Sequence, residues 1–107
     1  MQAIIRHVLA AGGYEVVVAS NGAEALAQLR SGIGPCLILL DLAMPVMDGY
    51  QFRERQLADP LLTALPVVIC SACPDLPRRA AALGAVACID KSFEFEELLH
   101  LVDAHSL

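Results

Sequence analysis

Two hydrophobic rhythms alternate along this chain. Met1, Ile4, Ile5, Val8 and Leu9 recur at helical spacing, and Gly12-Gly13 supplies a stop. Tyr14 to Ala19 is a β-branched run that reads as a strand. Asn21, with Glu24 three residues later, marks a helix start. That helix should carry Ala23, Leu26 and Ala27 inward and end near Gly32. From Cys36 to Asp41 the chain is continuously apolar until the carboxylate, which predicts a strand buried on both faces. Asp48 can cap a helix running through Tyr50, Phe52 and Leu57, with Pro60 ending it. Pro66 to Cys70 is a further buried strand. A short helix from Leu76 to Leu83 follows, with Pro77 in its first turn and Gly84 as its stop. Val86 to Asp90 reads as the last strand and Phe93 to Ala104 as the last helix.

This order gives four strands and five helices, the alternation of a mostly parallel α/β sheet. Residues 1–107 read as one domain without repeat or linker, and no output module is expected. Apolar residues make up 57% and charged residues 18%, a composition that excludes disorder. The net charge is -5 and the seven basic residues form no run, which argues against nucleic acid as a partner. No apolar run approaches the roughly 18 residues of a membrane helix, so a cytoplasmic protein is expected. Cys36, Cys70, Cys73 and Cys88 fall mostly in strand-like runs, where cysteine acts as a small buried hydrophobe.

Asp41 stands at the carboxyl end of its strand, where open α/β sheets place their sites, and Met44-Pro45 and Met47-Asp48-Gly49 follow it. Ser71 and Lys91 stand at the ends of the next two strands, so a parallel sheet would bring all three together. A loop-capping aspartate, an ordinary strand-end serine and a solvated lysine are the plain alternatives. With Asp41 in its loop, the three in order resemble the receiver domain of two-component response regulators over nearly the whole chain. The resemblance implies a flavodoxin-like, three-layer α/β/α fold with a parallel sheet of order 2-1-3-4-5. It implies that Asp41 accepts a phosphoryl group from a histidine kinase or phosphotransfer protein. Ser71 would hydrogen-bond that group and Lys91 would pair with it, while Mg²⁺ would lie on Asp41 and the Ala43 carbonyl. Carboxylates do serve as covalent acceptors in phosphoryl transfer when counter-charge is supplied. The implied domain signals and is not itself an enzyme.

The chain also departs from the family pattern. It lacks the first strand, which in the family lies between the strands matching Tyr14–Ala19 and Cys36–Asp41, and with it an acidic pair that binds Mg²⁺. No acidic residue precedes Glu15. Metal binding should therefore be weak and phosphorylation impaired. Lys91 is followed by Ser92 in place of the usual proline, Cys88 stands where a switch aromatic is expected, and the stretch from Ser71 to Gly84 is short. Ser92 could cap the final helix instead. The alternative function is a non-catalytic pseudo-receiver acting through protein–protein contacts. Unpaired strand edges invite another chain, so a homodimer or higher oligomer through residues 1–34 is expected. Cys70-Ser71-Ala72-Cys73 has the spacing of a redox pair, but the surrounding sequence offers no further thioredoxin-like feature. His7, His100 and His105 show no ligand spacing with the cysteines.

Overall fold

The computed structural model describes residues 9–32, 35, 37–72 and 74–106. After helical residues 9–11 come α1 (Gly22–Arg30), β1 (Ile38–Leu40), α2 (Gly49–Leu57), β2 (Val67–Ser71), α3 (Leu76–Ala82), β3 (Ala87–Asp90) and α4 (Phe95–His105). The strands pair in parallel in the order β1-β2-β3. All five residues of β2 are buried, as a strand covered by helices on both faces requires.

Alternation along the strands sorts their side chains into two apolar layers. Ile38, Leu40, Val67 and Ile69 face Leu26 of α1, Phe52 of α2 and Leu76 and Ala80 of α3. Leu39, Val68, Cys70 and Ile89 face Leu98 and Val102 of α4, together with Leu9. The three-layer α/β/α architecture follows from this division.

Local chemistry sets the helix ends. The Asn21 side chain accepts from the Glu24 amide at 2.9 Å, and Asp48 and Gln51 form a reciprocal capping box. Gly32 and Gly84, both at positive φ, follow the ends of α1 and α3. Within α1 the inward residues are Leu26, Ala25 and Leu29, whereas Ala27 is exposed, a shift of the expected face by part of a turn.

Tyr14–Ala19 does not form the expected strand, so the described residues hold three strands and not four. The segment lies in no helix, but a strand also needs a partner edge. The main-chain groups of Glu15, Val16 and Val17 bond no described residue. Anchors at both ends hold the segment away from β1. The Tyr14 amide donates to the Leu9 carbonyl at 3.0 Å, and the Tyr14 hydroxyl donates to Asp103 of α4. At the far end the Gly22 amide donates to the Met47 carbonyl at 2.9 Å. The first predicted helix lies mostly, and Cys36 wholly, outside the described residues.

A buried polar network ties the helical layer together. Gln56, fully buried, donates to the carbonyls of Leu62 and Leu65 and accepts from Arg53, which also reaches the carbonyls of Leu83 and Gly84. The loops after α2 and α3 thus hang on two side chains of one helix. Gln56→Leu keeps the volume but leaves two carbonyls and a guanidinium N–H without partners. It is expected to lower stability by about 2–3 kcal/mol in urea unfolding monitored by circular dichroism.

Candidate functional site

The carboxyl ends of the three strands converge on Asp41. Register places Leu40 beside Ile69 and Cys70 beside Ile89, so Asp41 follows β1 at the level where β2 reaches Cys70. Lys91, just past β3, reaches across the end of β2 and its Nζ meets Asp41 Oδ2 at 2.7 Å. Both side chains are a little under a third exposed, which leaves the pair open to an incoming reactant. The other carboxylate oxygen, Oδ1, accepts the Ala43 amide at 3.0 Å. Ser71 closes β2 between them and is buried. Among the described residues no hydrogen bond joins its hydroxyl to Asp41 or Lys91. The sequence reading of three successive strand ends thus holds in space, with one direct contact among the three side chains.

The loop after Asp41 explains its own sequence. A Cβ on Gly49 would lie 2.4 Å from the Asp41 carbonyl oxygen and 2.8 Å from Leu42 Cα, and the Gly49 amide donates to the Leu42 carbonyl at 3.2 Å. The start of α2 therefore packs directly on the backbone that presents the carboxylate, and only glycine fits. Between them Val46 stands 84% exposed at φ 66°, a left-handed conformation that disfavours a β-branched residue.

One sequence expectation shifts. Ser92 does not cap α4, whose N-cap is Glu94; its amide and hydroxyl both donate to Asp90 Oδ1, at 2.9 and 2.8 Å. These bonds, the amide's foremost, hold the Asp90 carboxyl below its usual range. Asp41 Oδ1 takes the Ala43 amide in an i-to-i+2 bond. Asp90 repeats the same i-to-i+2 bond, a turn habit of aspartate that the sequence alone could have suggested.

The described donors do not fit Mg²⁺. The ion needs about six oxygens in octahedral array. No three His, Cys, Asp or Glu side chains converge among the described residues, and both oxygens of Asp41 are already engaged. Nor is Cys70 poised for thiol chemistry. Burial, then the nearby Asp41 charge, pushes its thiol up to about 11. Cys70 and Cys88 are free thiols, and Cys73 lies outside the described residues. No helix among the described residues is long and apolar enough to cross a membrane.

Two outcomes follow. Gly49→Ala forces the start of α2 away from Asp41 and is expected to destabilise the fold by about 1–3 kcal/mol, read by thermal or urea unfolding. At pH 8 the Cys70 thiol is almost wholly protonated and shielded. Its reaction with a disulfide reagent, followed by peptide mass mapping, should be at least about tenfold slower in the native protein than in urea.

Comparison with known proteins gives this geometry a family. A family model described as the response regulator receiver domain matches residues 1–103. The chain is 44% identical over 84 residues to a protein-glutamate methylesterase/protein-glutamine glutaminase of Rhodospirillum rubrum, covering 75% of the chain and 22% of that protein. It is 33% identical over 93 residues to response regulator Rre1 of Synechocystis, covering 85% of the chain and 40% of that protein. The chain thus spans between about a fifth and two fifths of these two relatives. Among solved structures, the receiver domain of a signal transduction histidine kinase from Syntrophus aciditrophicus superposes with a TM-score of 0.84 at 32% identity. That match covers 96% of this chain and 79% of the other. With its flavodoxin-like sheet and its strand-end aspartate and lysine, the chain belongs to the response regulator receiver domains of two-component systems.

Proposed function

We propose that Asp41 is the phosphoacceptor of this domain, with a histidine kinase or phosphotransfer protein as donor. The observation that carries the reading is the 2.7 Å contact between Asp41 Oδ2 and Lys91 Nζ across the end of β2. An isolated strand-end carboxylate has no need of a cation reaching over a neighbouring strand. A carboxylate that becomes an acyl phosphate needs one, because negative charge builds on the transferring group.

In the proposed step an Asp41 oxygen attacks the phosphorus of a phosphohistidine. The phosphorus–oxygen bond forms as the phosphorus–nitrogen bond breaks, and the imidazole leaves with its electron pair and takes up a proton. Lys91 follows the charge onto the phosphoryl oxygens. The Ser71 hydroxyl, at the end of β2, supplies a donor to them. The Ala43 amide holds the carboxylate in place for attack. Because the metal donor set is incomplete on this chain, the reaction is expected to be slow. The domain acts as an acceptor in a relay and not as an enzyme in its own right, in a cytoplasmic setting.

A non-catalytic pseudo-receiver is the second reading, favoured by the absence, among the described residues, of any cluster of three His, Cys, Asp or Glu side chains that could hold a metal. Intact mass after incubation with acetyl phosphate and Mg²⁺ decides between them. The phosphoacceptor reading expects a gain of one phosphoryl group, removed by hydroxylamine and absent in Asp41→Asn. It also expects labelling at least about tenfold slower in Lys91→Ala. Absence of any gain, under conditions that label a complete receiver domain, would refute it in favour of the pseudo-receiver.

A further inference from the structure

Lys91 is the only lysine of the chain, and its ammonium meets Asp41 across the end of β2. The sheet brings Lys91 to this end of the molecule but does not aim its side chain. The last ladder pair between β2 and β3 is Ser71 with Asp90, so Lys91 lies beyond the register. A lysine head sits on a flexible four-carbon stem, and where it arrives depends on how the main chain leaves the strand.

That exit is set by a turn. The Phe93 amide donates to the Asp90 carbonyl at 3.0 Å, which closes a four-residue turn with Lys91 and Ser92 at its centre. Neither central residue takes a positive φ, as a type I turn requires, and aspartate is a favoured first residue of that turn. The Asp90 carboxylate then adds two bonds of its own. Its Oδ1 accepts the Ser92 amide at 2.9 Å and the Ser92 hydroxyl at 2.8 Å. Phe93 packs against the layer of Ile89, Leu98 and Val102. Lys91 is therefore bracketed. Strand and core anchor residues 90 and 93, and one carboxylate oxygen holds residue 92 by both of its donors. The Ser92 N–H belongs to the planar peptide that follows Lys91. Its orientation fixes the dihedrals about the Lys91 Cα, and with them the direction in which the side chain sets out.

We propose that Asp90 and Ser92 are positioning residues for the acceptor site, setting the main chain of Lys91 through the paired hydrogen bonds on Asp90 Oδ1 so that its ammonium reaches Asp41. Asp41 itself bonds Ala43 and Lys91, so Asp90 and Ser92 act on it through Lys91. Their effect on phosphoryl acceptance rests on the reading of Asp41 as phosphoacceptor; their placement of Lys91 does not. Charge is the rival account, because a carboxylate beside an ammonium attracts it whatever its hydrogen bonds. The two accounts part at Asp90→Asn, which discards the charge and keeps an acceptor oxygen that suits the same turn. Displacing a group that must meet the reacting atoms by about 1 Å can cost about a hundredfold in rate. A loosened turn leaves the ammonium in place part of the time and costs less.

A ¹⁵N-labelled chain carries one lysine ammonium signal, so Lys91 can be followed by NMR without interference from other lysines. Hydrogen exchange of that ammonium with water reports how firmly it is held, with no phosphodonor present. Labelling by acetyl phosphate and Mg²⁺, read by intact mass, is the second measurement, and urea unfolding checks that each variant folds. In Asp90→Ala the ammonium is expected to exchange at least about threefold faster and labelling to run at least about threefold slower. Ser92→Ala, which loses the hydroxyl bond alone, should move both readouts the same way by a smaller factor, and it decides the matter if Asp90→Ala does not fold. Asp90→Asn and Ser92→Thr should rescue both readouts to within about twofold of the native chain. A smaller rise in ammonium exchange in folded Asp90→Ala, or none in Ser92→Ala, would overturn the proposal. So would an Asp90→Asn that behaves like Asp90→Ala, since charge would then place Lys91. Absence of labelling in the native chain, under conditions that label a complete receiver domain, refutes the phosphoacceptor reading instead, and the ammonium readout still decides the role of Asp90 and Ser92.

Discussion

β2 is the one strand among the described residues that is hydrogen-bonded along both edges, and the rest of the molecule is arranged around it. Its five consecutive buried residues can exist only with a helix layer on each face, which fixes the three-layer plan. Its two registers set β1 and β3 in step, so that Asp41 and Lys91 emerge at the same end, two strands apart. A lysine side chain bridges such a gap and an aspartate does not, which is why the long residue stands after β3 and the short one after β1. A register slip at either ladder would turn every side chain of that strand to the opposite layer and part the ion pair.

Much of this was legible in the sequence because the signals were local and agreed with one another. Asn21, Asp48 and Gly84 do at the helix ends what those residue types do in isolation, and the unbroken apolar runs before Asp41 and Ser71 could serve only as buried strands. The failures share a different cause. Tyr14–Ala19 has strand composition, yet whether a segment becomes a strand depends on an edge elsewhere in the molecule. Ser92 was a good cap by type, but Asp90, two residues back, competes for both of its donors. The partnership of Arg53 and Gln56 with carbonyls some 6 to 31 residues away has no sequence signature at all.

An open slot of about 840 Å³ runs beside β1, between residues 14–19 and 37–41, and it is a matter of energetics as much as of shape. At about 24 cal/mol per Å³, a sealed and empty cavity of 840 Å³ would carry a penalty of about 20 kcal/mol, more than the 5–15 kcal/mol by which domains are stable. The slot therefore exists only because it is open and solvated. Solvent satisfies the exposed peptide groups of β1 well, but it satisfies the partly exposed side chains of Val17, Ala25 and Leu29 poorly. Water tolerates such a surface only while nothing apolar is offered to it. Collapse would be the alternative, and the bonds from Gly22 to Met47 and from Tyr14 to Leu9 and Asp103 oppose it by holding the far wall apart.

Those same anchors connect the slot to the site. Met47, whose carbonyl takes the Gly22 amide, belongs to the loop that runs from Asp41 to Gly49, and its side chain packs on the core layer that lines the slot. Asp41 and Lys91 themselves stand in the slot's wall. Electrostatic attraction between Asp41 and Lys91 strengthens as the local dielectric falls, so the hydration of the slot and the position of Lys91 cannot be energetically independent. The dependence runs both ways: whatever draws Lys91 away from Asp41 must also change the hydration of the slot.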